Sequence, residues 1–177
     1  MDKLPKYMDN APFLVKAKDR KDGKWVTGYF LGYLSPAMVM IIEEKNVCWC
    51  NGVIQESPIS ECNPETLCRC TNQKDCKGNF IFQGDILAAD FLPFHYEGAD
   101  DYYGVVFFDN ETARFGIETV KTAPSHVLGA ADGNVSCFDD YDVVARFEIV
   151  GNVYDNINLL RENYKFEQDG TKFETED

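Results

Sequence analysis

The chain has 177 residues, of which 45% are hydrophobic and 14% aromatic. This length and composition allow one domain or two small ones with a real core, and they exclude a wholly disordered chain. No apolar run approaches the roughly 20 residues needed to cross a bilayer, and the first residues lack the apolar core of a signal peptide. We therefore expect a soluble, cytoplasmic protein.

The net charge of −13 at pH 7 is unevenly distributed. Residues 1–24 hold seven Lys or Arg and four Asp or Glu, so the remaining 153 residues carry −16. A surface of that sign repels phosphate backbones, and direct binding to DNA or RNA is not expected. The charge suits a protein partner with a basic surface, although solubility alone is a sufficient reason for it.

The first half of the chain predicts short strands separated by turns. Asp22-Gly23 is a hairpin signal, because both residues tolerate the positive φ of tight turns. Asn63-Pro64 can begin a single helical turn, since proline is tolerated at the first helical position. The strands predicted in this half cover residues 13–18, 25–34, 38–42 and 47–55, the last with a turn or kink at Asn51-Gly52.

The second half has the same character, and Asp155 or Asn156 can cap a short helix over residues 157–161. The frequent turns and the near absence of helical periodicity predict an all-β or β-rich α+β fold, with small, partly open SH3-like barrels and a short C-terminal helix. We expect the strand aromatics to pack inward. The strands predicted here cover residues 67–71, 80–82, 86–91, 102–108, 114–120 and 143–150.

Five segments of the chain form a recognisable ordered set. They are Gly23–Tyr29 (GKWVTGY), residues 71–86 (TNQKDCKGNFIFQGDI), Gly104-Val105-Val106, Phe115-Gly116-Ile117 and residues 147–160 (FEIVGNVYDNINLL). In this order they resemble the YopX family of small phage and prophage proteins. The resemblance covers most of residues 13–160 and implies an accessory protein in the bacterial cytoplasm with no established reaction. Asn72, Gln73 and Ile157 depart from the family pattern. The motif glycines and aspartates indicate turns, and the aromatics indicate packing.

We predict three regions along the chain: an N-terminal β-hairpin region over residues 1–62, a YopX-like barrel core over residues 63–163 and an acidic tail over residues 164–177. A single domain over residues 10–163 is the alternative.

Seven cysteines in a cytoplasmic protein favour thiols or metal over a disulfide framework. Two Cys-x-Cys pairs stand out, and the period of two along a strand puts both thiols of a pair on one face. Two such pairs could hold Zn²⁺ tetrahedrally, although buried thiols without metal are the simpler interpretation and no cofactor is otherwise expected. The candidate ligands are Cys48, Cys50, Cys68 and Cys70.

The chain has only two histidines. His95 lies near Asp100 and Asp101, a set that could bind a divalent metal in a hydrolase, or could simply be part of an acidic loop. His126 follows a serine, but no third member of a catalytic triad is indicated. We therefore predict no catalytic residues and favour a protein that is not an enzyme.

Acidic and tyrosine side chains alternate in two stretches, a composition that could dock on a basic protein surface or simply coat a solvated loop. We predict a non-enzymatic accessory protein that engages a basic host or phage protein, as in host takeover or defence evasion. The alternatives are a barrel that binds a small molecule or nucleotide, and a metal-dependent hydrolase. Open sheet edges also allow a homodimer. The predicted partner-binding residues are Glu97, Asp100, Asp101, Tyr102, Tyr103, Asp109, Glu111, Asp139, Asp140 and Asp142.

Overall fold

The computed structural model describes residues 13–43, 49–50, 53–54, 59–89, 102–121, 134–135 and 146–160. Within these residues the fold is all-β and barrel-like, as predicted. None of their helices has the length and apolar character to cross a membrane. The strands are β1 Leu14–Lys18, β2 Trp25–Ser35, β3 Met38–Glu43, β4 Trp49–Cys50, β5 Val53–Ile54, β6 Ile59–Cys62, β7 Cys68–Lys74, β8 Phe80–Phe82, β9 Asp85–Ala89, β10 Tyr102–Asp109, β11 Arg114–Lys121, β12 Asn134–Val135 and β13 Glu148–Asn152, with short 3-10 helices at Pro64–Thr66 and Ile157–Leu159.

The chain divides into two compact units, Met1–Asn72 and Gln73–Asp177. The boundary between these units falls inside β7. The regions predicted from the sequence, over residues 1–62, 63–163 and 164–177, stay predictions. The acidic tail predicted over residues 164–177 lies outside the described residues.

The sheet of the first unit has the strand order β6-β3-β2-β1-β7, with every neighbouring pair antiparallel. The predicted β1–β2 hairpin is present, and Gly23 takes the positive φ of 71° that its turn requires. Asp19 Oδ1 accepts a hydrogen bond from the Lys21 backbone N–H at 2.6 Å. Besides the predicted Asp22-Gly23 signal, the turn is therefore stabilised by the side chain of Asp19, just before it.

The first-unit sheet curls until β6 reaches the end of β1. Asp19 and Cys62 form an antiparallel bridge, the Arg20 N–H donates to the Glu61 carbonyl at 2.9 Å, and the Asn63 N–H donates to the Lys18 carbonyl at 2.9 Å. The outer edge of β6 is thereby occupied. Apolar side chains pack together in the resulting barrel and form its core. They are Val15, Ala17, Val39, Ile41 and Cys62, all at most 8% exposed.

The β4 and β5 strands form their own antiparallel pair, with Trp49 opposite Ile54 and Cys50 opposite Val53. β4 and β5 are therefore two separate strands and not one continuous strand, and the turn or kink predicted at Asn51-Gly52 lies outside the described residues.

The sheet of the second unit has the order β12-β11-β10-β9-β13 and is covered on both faces. Alternation along β9 sends Leu87 into a cluster on one face and Ile86 into a cluster on the other. The first cluster contains Ile81, Leu87, Val106, Ile117 and Phe147. The second contains Ile86, Val105, Val153 and Leu160. Val153 lies in the turn after β13, and Leu160 directly follows the 3-10 helix, so the segment that contains the predicted short C-terminal helix packs on this sheet.

Candidate functional site

Asp75, in the longest family motif, is buried and organises the turn after β7. Its Oδ1 accepts hydrogen bonds from the backbone N–H groups of Lys77 at 3.0 Å and Asn79 at 2.8 Å. Its Oδ2 accepts from the Asn79 side-chain amide at 3.2 Å and from the backbone N–H of Ile149 at 3.4 Å. Burial acts on the pKa of Asp75 most strongly and raises it, but the hydrogen bonds from Asn79, Ile149 and Lys77 together outweigh burial, so the pKa is lowered.

The other motif acids and amides also hold turns. Asp85, 1% exposed, accepts a hydrogen bond from the Phe82 N–H at 2.8 Å across the corner that contains Gly84, whose φ is 80°. Asn152 Oδ1 accepts from the backbone N–H of Tyr154 at 2.9 Å and of Asp155 at 3.1 Å. The family motif therefore describes architecture, as the sequence indicated, because its polar side chains bind the backbone.

The structure describes two of the four cysteine side chains that were predicted as zinc ligands. Cys68 and Cys70 are buried with the exposed Arg69 between them, which confirms that the pair shares a face of β7. The Cys68 thiol donates to the Thr66 carbonyl at 3.3 Å, and Cys70 Sγ accepts from the Asn72 N–H at 3.3 Å. Cys48 and the side chain of Cys50 lie outside the described residues, so the four-cysteine zinc site stays a prediction. The part of the chain that the structure describes contains no cluster of three or more His, Cys, Asp or Glu that could hold a metal.

Three predicted partner-binding residues have described side chains. Tyr103 packs against the cluster of Ile86 and Val105, and Asp109 Oδ2 accepts a hydrogen bond from the Thr112 hydroxyl at 2.6 Å in the β10–β11 turn. Glu111 is exposed at the same turn. Of the three, Glu111 presents a carboxylate to solvent, whereas Tyr103 and Asp109 also serve the local structure.

Most of the remaining predicted residues lie outside the described residues, and Tyr102 is described only as the ladder partner of Ala89. Those outside are Glu97, Asp100, Asp101, Asp139, Asp140 and Asp142, together with His95 and His126.

The second half of β2 has an exposed apolar surface that the sequence reasoning missed. We expected its aromatics to pack inward, and this was wrong. Ring contact links Phe30 to Tyr33, whose centroids are 5.4 Å apart in an edge-to-face arrangement. Ile59 on β6 is also exposed, at 55%. The exposed β2 side chains are Tyr29, Phe30, Leu31, Tyr33 and Leu34, each 40–63% accessible to solvent.

The exposure follows from unequal strand lengths. β1 has five residues and its ladder with β2 ends at the pair Leu14–Tyr29, but β2 continues to Ser35. Within the described residues, Phe30–Ser35 therefore has a ladder partner in β3 alone. We call Phe30–Ser35 the β2 edge segment. The available signal in the sequence was the run from Trp25 to Ile42, eighteen residues without a charged side chain.

The two units differ in their net charge. Residues 1–72 contain nine Lys or Arg and nine Asp or Glu, a balance of zero. Residues 73–177 contain eight Lys or Arg and twenty-one Asp or Glu, a balance of −13. The first unit is thus neutral with an exposed apolar strand, and the second carries the whole net charge.

These features define an all-β, barrel-like protein whose recurring motif residues hold turns and corners. The family model described as YopX protein matches residues 17–161, which is more than half of the chain, and the chain belongs to the YopX family. This confirms the resemblance seen in the sequence. No curated protein matches the chain.

Proposed function

We propose that this protein is a non-enzymatic accessory protein that acts through protein–protein contacts, with its acidic second unit engaging a basic surface of a host or phage protein. Membership of the YopX family suggests a phage-type protein. The proposed contact residues are the acidic and tyrosine residues of two stretches, residues 97–111 and residues 139–142.

The separation of charge between the units is the observation that supports this proposal most directly. A net charge of −13 confined to residues 73–177 produces a stronger local field than the same charge spread over the chain. Such a field accelerates association with a basic partner and disfavours acidic ones, including nucleic acids. Solubility alone would not require one unit to be neutral.

The described end of the acidic stretch is compatible with this role. In the β10–β11 turn, Asp109 Oδ1 accepts a hydrogen bond from the Glu111 backbone N–H at 2.9 Å. The Glu111 side chain is exposed. A charged side chain on an ordered turn loses less conformational entropy on binding than one on an unstructured segment.

Affinity capture from host lysate at low and high ionic strength tests the proposal. Two variants each reverse a pair of acids, Asp100→Lys with Asp101→Lys, and Asp139→Lys with Asp140→Lys. We expect specific partners to be basic, to elute as salt rises, and to be lost in both variants, because salt screens exposed charges. With an identified partner, the association constant should fall as salt rises, and it should be lower for both variants than for the wild type.

The matched control is Glu61→Lys with Glu65→Lys, two exposed acids of the first unit that give the same change in net charge. It should retain the partners. Equal loss in the control variant would mean that net charge and not these two stretches matters. Capture of no specific partner, or of partners that are insensitive to salt, would count against the proposal.

A further inference from the structure

The β2 edge segment combines features that soluble proteins usually avoid. Its backbone has a ladder partner on one side within the described residues, and its side chains are large, apolar and about half exposed. Sheet edges are normally protected by charged side chains, proline or covering structure. The β6 edge of the same sheet is protected, through its bonds to residues 18–20. The β2 edge segment has no charged residue and no proline.

The exposed apolar area approaches that of a standard contact. An aromatic side chain presents about 200 Å², so six large apolar side chains near half exposure expose on the order of 600 Å². This area is divided between the two faces of the sheet, because Phe30 and Tyr33 lie opposite Ile41 and Val39, whereas Tyr29 lies opposite Ile42. A standard interface buries about 800 Å² on each partner. The six are the five exposed β2 side chains and Ile59, whose ladder partner Ile42 also pairs with Tyr29.

We propose that two copies of this protein form a dimer in which their β2 edge segments lie antiparallel across a two-fold axis. This proposal is independent of the acidic surface proposed above. Irregularities in the ladder with β3, between Phe30 and Gly32 and between Tyr33 and Ser35, interrupt the backbone spacing. Side-chain packing of Leu31, Tyr33 and Leu34 therefore supplies the contact, and not an unbroken run of backbone hydrogen bonds.

Charge identifies a second copy as the occupant. Close to a two-fold axis each residue meets its own copy, so a charge at that place would face a like charge. The eighteen uncharged residues from Trp25 to Ile42 avoid that repulsion in a chain whose net charge is −13. The first unit as a whole is also neutral, so it can approach its own copy, whereas two second units repel each other.

Sedimentation velocity of the full chain over a wide range of concentration tests the dimer. We expect a dimer that is maintained or strengthened as salt rises, because salt screens the repulsion between second units and leaves apolar contact intact. Binding through the acidic surface weakens with salt, so the two proposals can fail separately. A monomer at every concentration and ionic strength would overturn the dimer, and would favour another protein or residues 1–12 as the occupant.

Charged substitutions test the location and the symmetry. One variant carries Leu31→Lys and Leu34→Lys, and a second carries Leu31→Glu and Leu34→Glu. Each should dimerise at least about tenfold more weakly than the wild type, because the two-fold axis places like charges together. An equimolar mixture of the two should recover a heterodimer, since opposite charges then meet. That recovery also shows that both variants are folded.

The control is Ile157→Lys, at an apolar position in the second unit that is 52% exposed. It should dimerise like the wild type. If both charged variants dimerise normally, or if their mixture stays monomeric while each retains a cooperative thermal transition, the β2 edge segment is not the interface.

Discussion

The carboxylate of Asp75 accepts a hydrogen bond from the backbone N–H of Ile149, 74 residues further along the chain. The same region is joined by a bond from the Cys76 N–H to the Phe147 carbonyl at 2.8 Å and by an ion pair between Lys77 and Glu148. The turn after β7 and the start of β13 are therefore attached to each other at three successive positions. This attachment connects the two longest segments on which the resemblance to the YopX family rests, residues 71–86 and 147–160.

Replacing Asp75 with alanine should destabilise the protein by about 2–3 kcal/mol, because the backbone N–H groups of Lys77, Asn79 and Ile149 lose their acceptor. The measurement is the shift in the urea unfolding midpoint. Asp109→Ala is the control, since Asp109 accepts hydrogen bonds from Glu111 and Thr112 of its own hairpin turn, and it should cost about 1 kcal/mol or less. Equal effects of the two substitutions would show that the long-range bond to Ile149 contributes nothing.

The lowered pKa of Asp75 also predicts a pH dependence. A carboxyl group whose folded pKa lies below its unfolded value contributes stability above the unfolded pKa, about 3.9 for aspartate. That contribution is lost as the pH falls through the lower, folded pKa. The free energy of unfolding of the wild type should therefore fall more steeply below about pH 4 than that of Asp75→Asn. Above that pH the two stability curves should be parallel, and a steeper loss in the variant would contradict the assignment.

The turns of this protein could be predicted from the sequence, because they depend on hydrogen bonds between neighbouring residues. The exposure of the second half of β2 could not, because it depends on where the β1–β2 ladder ends. Asp19 and Asp22 at the first hairpin, and Asp109 at the β10–β11 turn, bind backbone groups two or three residues away, so their effect is visible in a short window. The exposure of Tyr33 depends instead on β1 ending opposite Tyr29. Composition carries no information about where a ladder ends, and an apolar strand residue can face solvent as well as core.

The candidate site residues also include some whose placement could be predicted from the sequence and some whose placement could not. The shared face of Cys68 and Cys70 followed from the period of two along a strand. Asp109 was predicted to bind a partner, but its carboxylate already accepts a hydrogen bond from the Thr112 hydroxyl in the turn. The sequence does not show that a carboxylate oxygen is already bonded within the protein. The charge difference between the units could be computed only after their boundary inside β7 was known.

The two glycines of the first motif should respond differently to substitution. A Cβ on Gly28 would lie 1.9 Å from the Ile42 carbonyl oxygen, a backbone atom that cannot move without displacing β3. Gly28→Ala should therefore cost about 3 kcal/mol. Gly23 has open space around it but a φ of 71°, so Gly23→Ala should cost about 1–2 kcal/mol. Thermal unfolding of both variants measures the difference, and a larger effect at Gly23 would refute the close approach of β2 and β3.

Cysteine reactivity should distinguish the core thiol from the surface one. Burial, with smaller contributions from Asp19 and Glu43, raises the pKa of Cys62 to about 11. At pH 8 almost none of Cys62 is thiolate, which is the reactive form, and its side chain is fully buried in the first-unit barrel. Cys76 is exposed in the turn after β7.

Iodoacetamide followed by peptide mapping should label Cys76 in the native protein and Cys62 only after urea is added. Native labelling of Cys62 at a rate similar to that of Cys76 would mean that the barrel opens readily at β6, the strand whose bonds to residues 18–20 close it.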